Sequence, residues 1–396
     1  MANTSRHLRA ENAFMSNDSV DDYKPGLEGV VSNETAISNI DGKEGAGGLE
    51  YRGYAIEDLS GKVSYEETAF LLLHGDLPTC PQLAEFDARL RSSRAIPESL
   101  IGLYKALPTS SHPMDVLRTA VSVLSHFDPD VNADPRDHAA NVRKAERLVA
   151  QMPTAIAFFD RIRKKMPVIA PRADLDHSSN FLNMIRGEVV NETKRRAFDL
   201  SLVLYTEHEL NASTFSGRVT VSTLSDIYSG VVAAIGTLKG PLHGGANEEA
   251  WKVLEQVGSP ENASAWIRDA LARGERIMGF GHRVYKTGDP RAVILKEYCT
   301  KIAEEIGDDR WERIAEPIEQ AVTTQKKLPP NVDWPSARLY HYLGLNIDIY
   351  TPIFAMARVS GWAAHIIEQL DHNRLMRPRA HYIGPPHRAV KPISQR

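Results

Sequence analysis

Two histidines and one aspartate of this chain stand in short segments rich in Gly, Pro and Asn. They are His243 in PLHGGAN (residues 241–247), His282 in GFGHRVYK (residues 279–286) and Asp333 in PNVD (residues 330–333). Turn residues hold such side chains outside the apolar stripes of helices. Imidazoles can donate hydrogen bonds to developing negative charge, and a carboxylate can accept a proton. The three groups therefore suit a reaction that removes a proton from carbon and stabilises charge on two oxygens.

The segment around His243 has the pattern of a helix start, because two glycines are followed by Glu248 and Glu249. We expect the imidazole to lie beside free backbone N–H groups at the N-terminus of this helix, which disfavours the imidazolium. A neutral His243 would then act as a hydrogen-bond donor. Taken alone, the segment fits a helix-capping histidine without a role in chemistry equally well.

The carboxylate of Asp333 lies between Pro330 and the pair Trp334 and Pro335. We expect it to be rigidly held and partly desolvated, which raises its basicity and makes it a candidate base. An isolated aspartate near proline is more often an exposed turn residue. His282 follows a Gly-x-Gly segment, but no clear strand precedes it, so a dinucleotide-binding fingerprint is not indicated. Without its neighbours, His282 would be interpreted as part of a surface turn.

From residue 26 to residue 379 the chain resembles the citrate synthase family, because these motifs follow the order and spacing of that family. The resemblance implies that Asp333 removes the α-proton of a thioester and that His243 hydrogen-bonds the thioester carbonyl. It also implies that His282 polarises the ketone of a 2-oxo acid. Trp334, the bulkiest neighbour of Asp333, is expected to limit the size of the acyl group.

The resemblance also implies the groups that bind substrate. His208, Arg291 and Arg358 match ligands of the 2-oxo acid, and Arg377 matches an arginine donated by the neighbouring subunit. An arginine alone would more often be a solvated surface charge, but arginine suits carboxylates in fixed geometry. The residues expected to bind coenzyme A are Arg283, Lys286, Lys326, Lys327 and Asn331.

Strand-like alternation is confined to Val30–Ser38 and the stretch near Leu49–Tyr54, with a Gly-rich turn at residues 45–48. Helix signals follow from Ser64 onward. The further predicted helix starts are Thr79 with Pro81, His112 with Pro113, Asp134 with Pro135, Asn191, Ser259 with Pro260, and Asp289 with Pro290. The sequence therefore predicts an all-α protein with a minor N-terminal β element.

The family resemblance supplies the domain division, since no linker rich in Pro, Gly or Ser cuts the chain. It implies the citrate synthase fold, in which a small helical domain is inserted into a large helical one. The expected large domain consists of residues 1–235 and 343–396, and the expected small domain of residues 236–342. Substrates would bind in the cleft between them.

Composition and patterning exclude several classes of protein. The net charge of -4 gives no basic footprint for nucleic acid, and no apolar run approaches the roughly 20 residues of a membrane span. The polar stretch before Pro25 fits neither a secretory signal nor a transit peptide. Only Cys80 and Cys299 are present, which is typical of reduced thiols in a cytoplasm. His208-Glu209 begins like a zinc-protease helix, but position 212 is alanine, so no metal is expected.

The hypothesis is therefore condensation of acetyl-CoA with oxaloacetate by a homodimer with a shared active site, without metal or redox cofactor. The nearest alternative is 2-methylcitrate synthase, which uses propionyl-CoA in the same steps. A citrate-cleaving lyase module is a weaker alternative. A non-catalytic helical binding module is an alternative of another class, and thiol release from acetyl-CoA that depends on oxaloacetate would separate it from the enzymes.

Overall fold

Three short strands lie near the start of the structure: β1 (Ser38–Asn39), β2 (Glu50–Tyr51) and β3 (Tyr54–Ala55). They form an antiparallel sheet in the order β1-β2-β3, with Ser38 opposite Tyr51. The predicted N-terminal β element is thus confirmed, although residues before Ser38 in the predicted strand are not extended into the sheet. This computed structural model describes residues 23–40, 48–282, 285 and 288–396, so most of the predicted Gly-rich turn lies outside the described residues.

The other regular elements of the described chain are helices and short 3-10 turns. The helices up to residue 205 are α1 (Ile56–Leu59), α2 (Tyr65–His74), α3 (Cys80–Ser92), α4 (Glu98–Ala106), α5 (Pro113–Ser125), α6 (His138–Arg163), α7 (His177–Arg186) and α8 (Glu192–Tyr205). Those that follow are α9 (Ala212–Val221), α10 (Ile227–Leu238), α11 (Ala246–Val257), α12 (Pro260–Ala272), α13 (Pro290–Ile306), α14 (Arg310–Lys326), α15 (Asp333–Tyr342) and α16 (Tyr350–Asp371). The all-α prediction is confirmed.

Local capping chemistry explains where most helices begin. Ser64 and Glu67 form the predicted capping box of α2, and Gly75 ends that helix in the left-handed region at φ 97°. The starts predicted at Thr79, His112, Asn191, Ser259 and Asp289 are confirmed as N-caps.

The start predicted at Asp134 with Pro135 is wrong. Asp134 instead closes a tight turn, in which its carboxylate accepts the backbone N–H of Arg136 at 2.8 Å. The capping residue of α6 is Asp137, whose carboxylate accepts the N–H of Ala140 at 3.0 Å. A local hydrogen bond of the first aspartate therefore delays the helix by three residues.

Helix α16 is the centre of the core. All of its residues except Glu368 and Asp371 are buried, and it packs against α2, α6, α8, α9 and α10. A helix that is apolar on every side is stable only when protein surrounds it. Arg358 in its middle is therefore placed deep in the molecule, where a charge is costly unless a partner or ligand meets it.

The described residues divide into two units. Thr35–Leu375 form one, and the described residues before Thr35 with Met376–Arg396 form the other. The second unit holds 3-10 turns at Pro25–Leu27 and Ile393–Gln395. The division at residues 235 and 342 stays a prediction, and its first boundary falls within α10. In the described part of the chain, no helix is both long and apolar enough to cross a bilayer.

Candidate active site

His243 lies in the turn between α10 and α11, and its imidazole contacts a different helix from the one predicted. Its Nε2 accepts the backbone N–H of Ser213 at 3.3 Å, in the first turn of α9, and lies 2.8 Å from Ser213 Oγ. The chain folds back there so closely that a β-carbon at Gly244 would collide with Leu238. The expected helix N-terminus is therefore present, but it belongs to α9 rather than to α11.

This contact determines the tautomer of His243. A backbone N–H can only donate, so Nε2 carries no proton and the neutral ring carries its proton on Nδ1. Burial, together with the positive charge of Arg358, lowers the pKa of His243 to about 4. The imidazole is thus neutral near pH 7 and presents Nδ1–H as a hydrogen-bond donor.

Asp333 is the first residue of α15. Its Oδ1 accepts the Tyr205 hydroxyl at 2.8 Å, while Oδ2 has no hydrogen bond to the described residues. Burial raises the pKa of Asp333 to about 6, against the opposing effects of the Tyr205 hydrogen bond and of Arg291. The carboxylate is therefore a base that is held by one oxygen and available at the other.

The loop that carries His282 is tied to the segment before Asp333. Asn331 donates its backbone N–H to the carbonyl of Gly279 and its side-chain N–H to the carbonyl of Gly281, each at 3.0 Å. Gly279 has φ 90°, and a β-carbon there would lie 2.9 Å from the indole of Trp334. These bonds hold the backbone just before His282 against the backbone just before Asp333.

His282 lies against His208, with ring centroids 5.0 Å apart. Its Nδ1 accepts the backbone N–H of Tyr285 at 3.2 Å, so the proton of a neutral ring is on Nε2. Burial, followed by the charge of Arg291, lowers the pKa of His208 well below its ordinary value. The buried Nε2 of His208 and the hydroxyl of Tyr285 have no hydrogen-bond partner among the described residues. Such unpaired polar atoms favour a polar ligand at this position.

Arg358 and Arg291 differ in how their charges are balanced. Arg358 is 1% exposed and donates Nε–H to the Tyr205 carbonyl at 2.6 Å, with no carboxylate at ion-pair distance in the described chain. Burial lowers its pKa to about 10. Arg291 is also buried but pairs with Asp289 through two bonds of 2.9 and 2.8 Å. Arg358 is therefore the better placed of the two to bind an anion.

Two aromatic side chains join these parts into one site. The ring of Phe354 lies 4.4 Å from the ring of Tyr205 and 6.3 Å from that of His243, measured between centroids. The guanidinium carbon of Arg358 lies 4.7 Å from the centre of the same Phe354 ring. Since Tyr205 also binds Asp333, the structure brings His243, Asp333 and Arg358 around a single aromatic pair.

The remaining predicted residues are less directly placed. Arg283 and Lys286 lie outside the described residues, and Arg377 is an exposed residue of the second unit. Lys326 and Lys327 are exposed at the end of α14. The amide of Asn331 is already hydrogen-bonded within the protein, since its Oδ1 also accepts the N–H of Asp333 at 3.1 Å. A contact of any of these with coenzyme A stays a prediction.

Trp334 does not lie where we expected. Its indole is fully buried, donates Nε1–H to Glu319 of α14 at 2.9 Å and packs on Phe280. Successive residues of a helix point about 100° apart, so the side chain beside Asp333 faces another part of the molecule. Trp334 is a core residue, and the expectation that it limits the acyl group finds no support in its contacts.

The sequence analysis missed three residues of the site. Tyr205 holds Asp333, Ser213 fixes the tautomer of His243, and Glu207 accepts hydrogen bonds from His365 at 2.9 Å and Ser38 at 3.0 Å. Ser213 had a signal, because Asn211 before it is a helix cap. Tyr205 had no such signal, since it ends the mostly apolar second half of α8.

A close helix crossing supports this region. Glu207 and the carbonyl of Thr206 lie so near α16 that a β-carbon at Gly361 would collide with both. His365, one turn further along α16, accepts a hydrogen bond from Arg218 at Nδ1 and donates from Nε2 to Glu207. The segment that carries His208 is thus fixed to the helix that carries Arg358.

The arrangement can remove a proton with Asp333, donate hydrogen bonds from His243 and His282 to developing oxyanions, and hold an anion at Arg358. Within the described residues, no cluster of three or more His, Cys, Asp or Glu side chains could hold a metal ion. Both cysteines are free thiols.

Comparison with known proteins agrees with this geometry. The family model described as "Citrate synthase, C-terminal domain" matches residues 26–379. "Citrate synthase 2" of Bacillus subtilis is 48% identical over 94% of this chain and 98% of its own length. A "2-methylcitrate synthase" of Mycobacterium tuberculosis is 45% identical over 92% of this chain and 91% of its own.

A solved structure adds a comparison of folds. The ternary complex of citrate synthase from Thermoplasma acidophilum with carboxymethyl coenzyme A and oxaloacetate has a TM-score of 0.87 and 36% identity. The match covers 94% of this chain and 99% of that one. On these grounds the chain belongs to the citrate synthase family.

Proposed function

We propose that the protein condenses acetyl-CoA with oxaloacetate and hydrolyses the resulting citryl thioester to citrate and coenzyme A. The observation that carries this proposal is a base with one available oxygen, Asp333, in a site with a neutral His243 and an Arg358 that has no carboxylate at ion-pair distance among the described residues. The related T. acidophilum enzyme, solved with a coenzyme A derivative and oxaloacetate, supports substrates of the same classes.

The proposed binding of oxaloacetate rests on charge. Arg358 supplies a buried cation that has no carboxylate at ion-pair distance in the described chain, although the charge of Glu207 acts on it. Arg291 supplies a second cation, whose pairing with Asp289 leaves Nη1 without a hydrogen bond in the described chain. Nε2 of His208 has no hydrogen-bond partner among the described residues, and Arg291 is near enough for its charge to lower the pKa of His208. A dicarboxylate would satisfy all three groups at once.

The proposed steps move protons and one carbon–carbon bond. Asp333 Oδ2 takes a proton from the acetyl methyl group, and Nδ1–H of His243 donates to the enolate oxygen. The enolate carbon attacks the ketone carbon of oxaloacetate, and the new alkoxide is stabilised by Nε2–H of His282. The alkoxide then gains one proton, which balances the proton that Asp333 takes up and later releases. Water then attacks the thioester carbonyl, and coenzyme A leaves as the thiol. None of these steps needs an external oxidant or reductant. We propose that the reaction uses no metal and no redox cofactor.

We further propose that the working unit is a homodimer in which Arg377 completes the site of the partner subunit, as the family resemblance implies. Mixing Arg377→Ala chains with Asp333→Asn chains should restore activity, because one of the two sites in a mixed dimer would contain both native residues. Verified heterodimers that stay inactive would contradict the shared site. We place the enzyme in the cytoplasm and in the tricarboxylic acid cycle, and its two free thiols support a reducing compartment.

The function is tested by following thiol release from acetyl-CoA with and without oxaloacetate. We expect release only when oxaloacetate is present. The same assay with propionyl-CoA decides the remaining question of acyl choice, because one methylene in an apolar pocket changes binding by only about 1–3 kcal/mol. A larger specificity constant for propionyl-CoA would assign the protein to 2-methylcitrate synthesis, the name that the M. tuberculosis relative bears.

A further inference from the structure

Tyr205, the last residue of α8, contacts three parts of the candidate site although the family motifs do not include it. Its side chain is completely buried. The hydroxyl lies 2.8 Å from Asp333 Oδ1 and 2.7 Å from Ser336 Oγ. Its carbonyl accepts the Nε–H of Arg358 at 2.6 Å, and its ring packs on Phe354.

The direction of the hydrogen bonds around this hydroxyl follows from elementary chemistry. An ionised carboxylate can only accept, so the phenol donates its proton to Asp333. In the contact between Tyr205 and Ser336, the serine hydroxyl is then the donor, and it shares its one proton with the Asp333 carbonyl at 3.1 Å. Burial raises the pKa of the Tyr205 phenol well above its ordinary value, so it stays protonated and remains a donor throughout an enzyme assay.

Packing fixes the position of the Tyr205 ring, in addition to the donor role of its hydroxyl. The Phe354 ring holds one side at a centroid distance of 4.4 Å, and the main chain of Tyr205 is held by Arg358. The ring therefore cannot follow Asp333 if the carboxylate rotates. One oxygen of the carboxylate is kept toward the phenol, which leaves Oδ2 to face a substrate.

We propose that Tyr205 is a positioning residue for Asp333: its hydroxyl orients the carboxylate and favours the ionised form that accepts the substrate proton. This inference rests on the proposed function, in which Asp333 is the base. Tyr205 does not itself exchange a proton with the substrate.

The proposal has a consequence that a purely structural role lacks. A hydrogen bond to an ionised group stabilises the ionised form, so its loss raises the pKa of the carboxyl. Loss of one charge-assisted hydrogen bond corresponds to a shift of about one to two pH units. In Tyr205→Phe we therefore expect the acid limb of the kcat/KM profile to move up by about one to two pH units. Above that limb, kcat should fall because Oδ2 is less well placed, whereas KM for oxaloacetate should change little.

The experiment compares the pH profiles of wild type, Tyr205→Phe and the matched control Tyr104→Phe. Tyr104 is equally buried in α4, and its hydroxyl has no hydrogen-bond partner in the described chain. Ser336→Ala removes the serine that contacts the Tyr205 hydroxyl and should move the acid limb in the same direction by a smaller amount. Infrared titration of protein labelled with [13C]aspartate measures the carboxyl of Asp333 directly, its band being assigned by its loss in Asp333→Asn.

A raised acid limb in Tyr205→Phe with an unchanged limb in Tyr104→Phe supports the proposal. A limb that does not move, with lower turnover at every pH, overturns it, as does an infrared titration of Asp333 that is the same in wild type and variant. If Tyr205→Phe does not fold, the proposal is tested with Ser336→Ala. An unshifted acid limb in the kcat/KM profile of that variant also overturns the proposal. Absence of condensation by the wild type would instead contradict the proposed function, and the infrared titration would still report whether Tyr205 controls Asp333.

Discussion

Two places in this molecule hold carboxylates whose pKa burial raises, and they differ in what surrounds them. Asp333 has one oxygen on a phenol, and the charges of Arg291, Arg358 and Asp289 are near enough to affect its pKa. The other place is the pair Glu66 and Asp199, 5% and 7% exposed, where burial raises the pKa of both carboxyls.

The partners of the second pair are structural. Glu66 accepts the first backbone N–H of α7 at 2.8 Å, and Asp199 accepts the first backbone N–H of α2 at 3.3 Å and the hydroxyl of Ser178 at 2.7 Å. Such groups cap helices that would otherwise end with unsatisfied donors. A raised pKa alone therefore does not identify a catalytic base. The groups that face the carboxylate distinguish a base from a helix cap.

The largest expected effect separates the two places directly. Asp333→Asn keeps an oxygen that can accept from Tyr205, so the fold should survive while turnover falls at least ~100-fold, the low end for a positioned base. His243→Ala should lose a similar factor because it removes the donor to the enolate. Asp199→Asn, a change of the same size in the helix-capping pair, should keep near wild-type turnover. Near-normal turnover of Asp333→Asn would show that Asp333 is not the base, and the proposed difference between the two carboxylate sites would be wrong.

The second prediction extends the comparison to arginines. Arg358→Gln should raise KM for oxaloacetate roughly 10- to 100-fold, since a hydrogen bond to a charged group contributes about 1.5–3 kcal/mol. Arg147→Gln is the control, because Arg147 is bound by Asp128 at 2.7 Å and Asp130 at 2.6 Å. It should lower the melting temperature and leave KM unchanged. Equal effects of both variants on KM would show that Arg358 also has an internal role.

The smallest expected effect concerns stability. Because the pKa of Asp199 is raised on folding, the folded state binds more protons than the unfolded state above the ordinary carboxyl pKa of about 4. The free energy of unfolding therefore falls as the pH rises from about 4 through the raised pKa. Asp199→Asn should remove this contribution, so the loss of stability across that range becomes smaller than in wild type. Denaturant unfolding at several pH values measures it, and parallel curves would contradict the assignment.

Buried His177 must be considered in the same experiment. Burial, with the nearby charge of Arg94, lowers the pKa of His177 to about 3, so this residue makes the protein less stable as the pH falls below its ordinary pKa of about 6.5. Its contribution has the opposite sign to that of Asp199. The difference between Asp199→Asn and wild type at each pH cancels it, because His177 is present in both.

The sequence was most informative where structure is local. The capping box of Ser64 and the N-caps of later helices depend on neighbours within four residues, and these predictions are confirmed. The partner of Asp333 lies 128 positions away in Tyr205, and that of His243 lies 30 positions away in Ser213. No periodicity encodes such contacts, and the cap at Asn211 marks the start of α9 without indicating that His243 contacts it. For the same reason the helix N-terminus at His243 was predicted, but on the wrong helix.

Gly361 shows how a position without a side chain can determine how closely two segments approach each other. Between α16 and the backbone of Thr206 there is room at this position only for a hydrogen atom. Arg358 lies one turn away on the same helix. Any β-carbon would push α16 away from Thr206 and Glu207, and the guanidinium of Arg358 would move with the helix. Substitution should thus be tolerated no better here than at the charged residues. Among related sequences, covariation would be expected between this position and the residues opposite it.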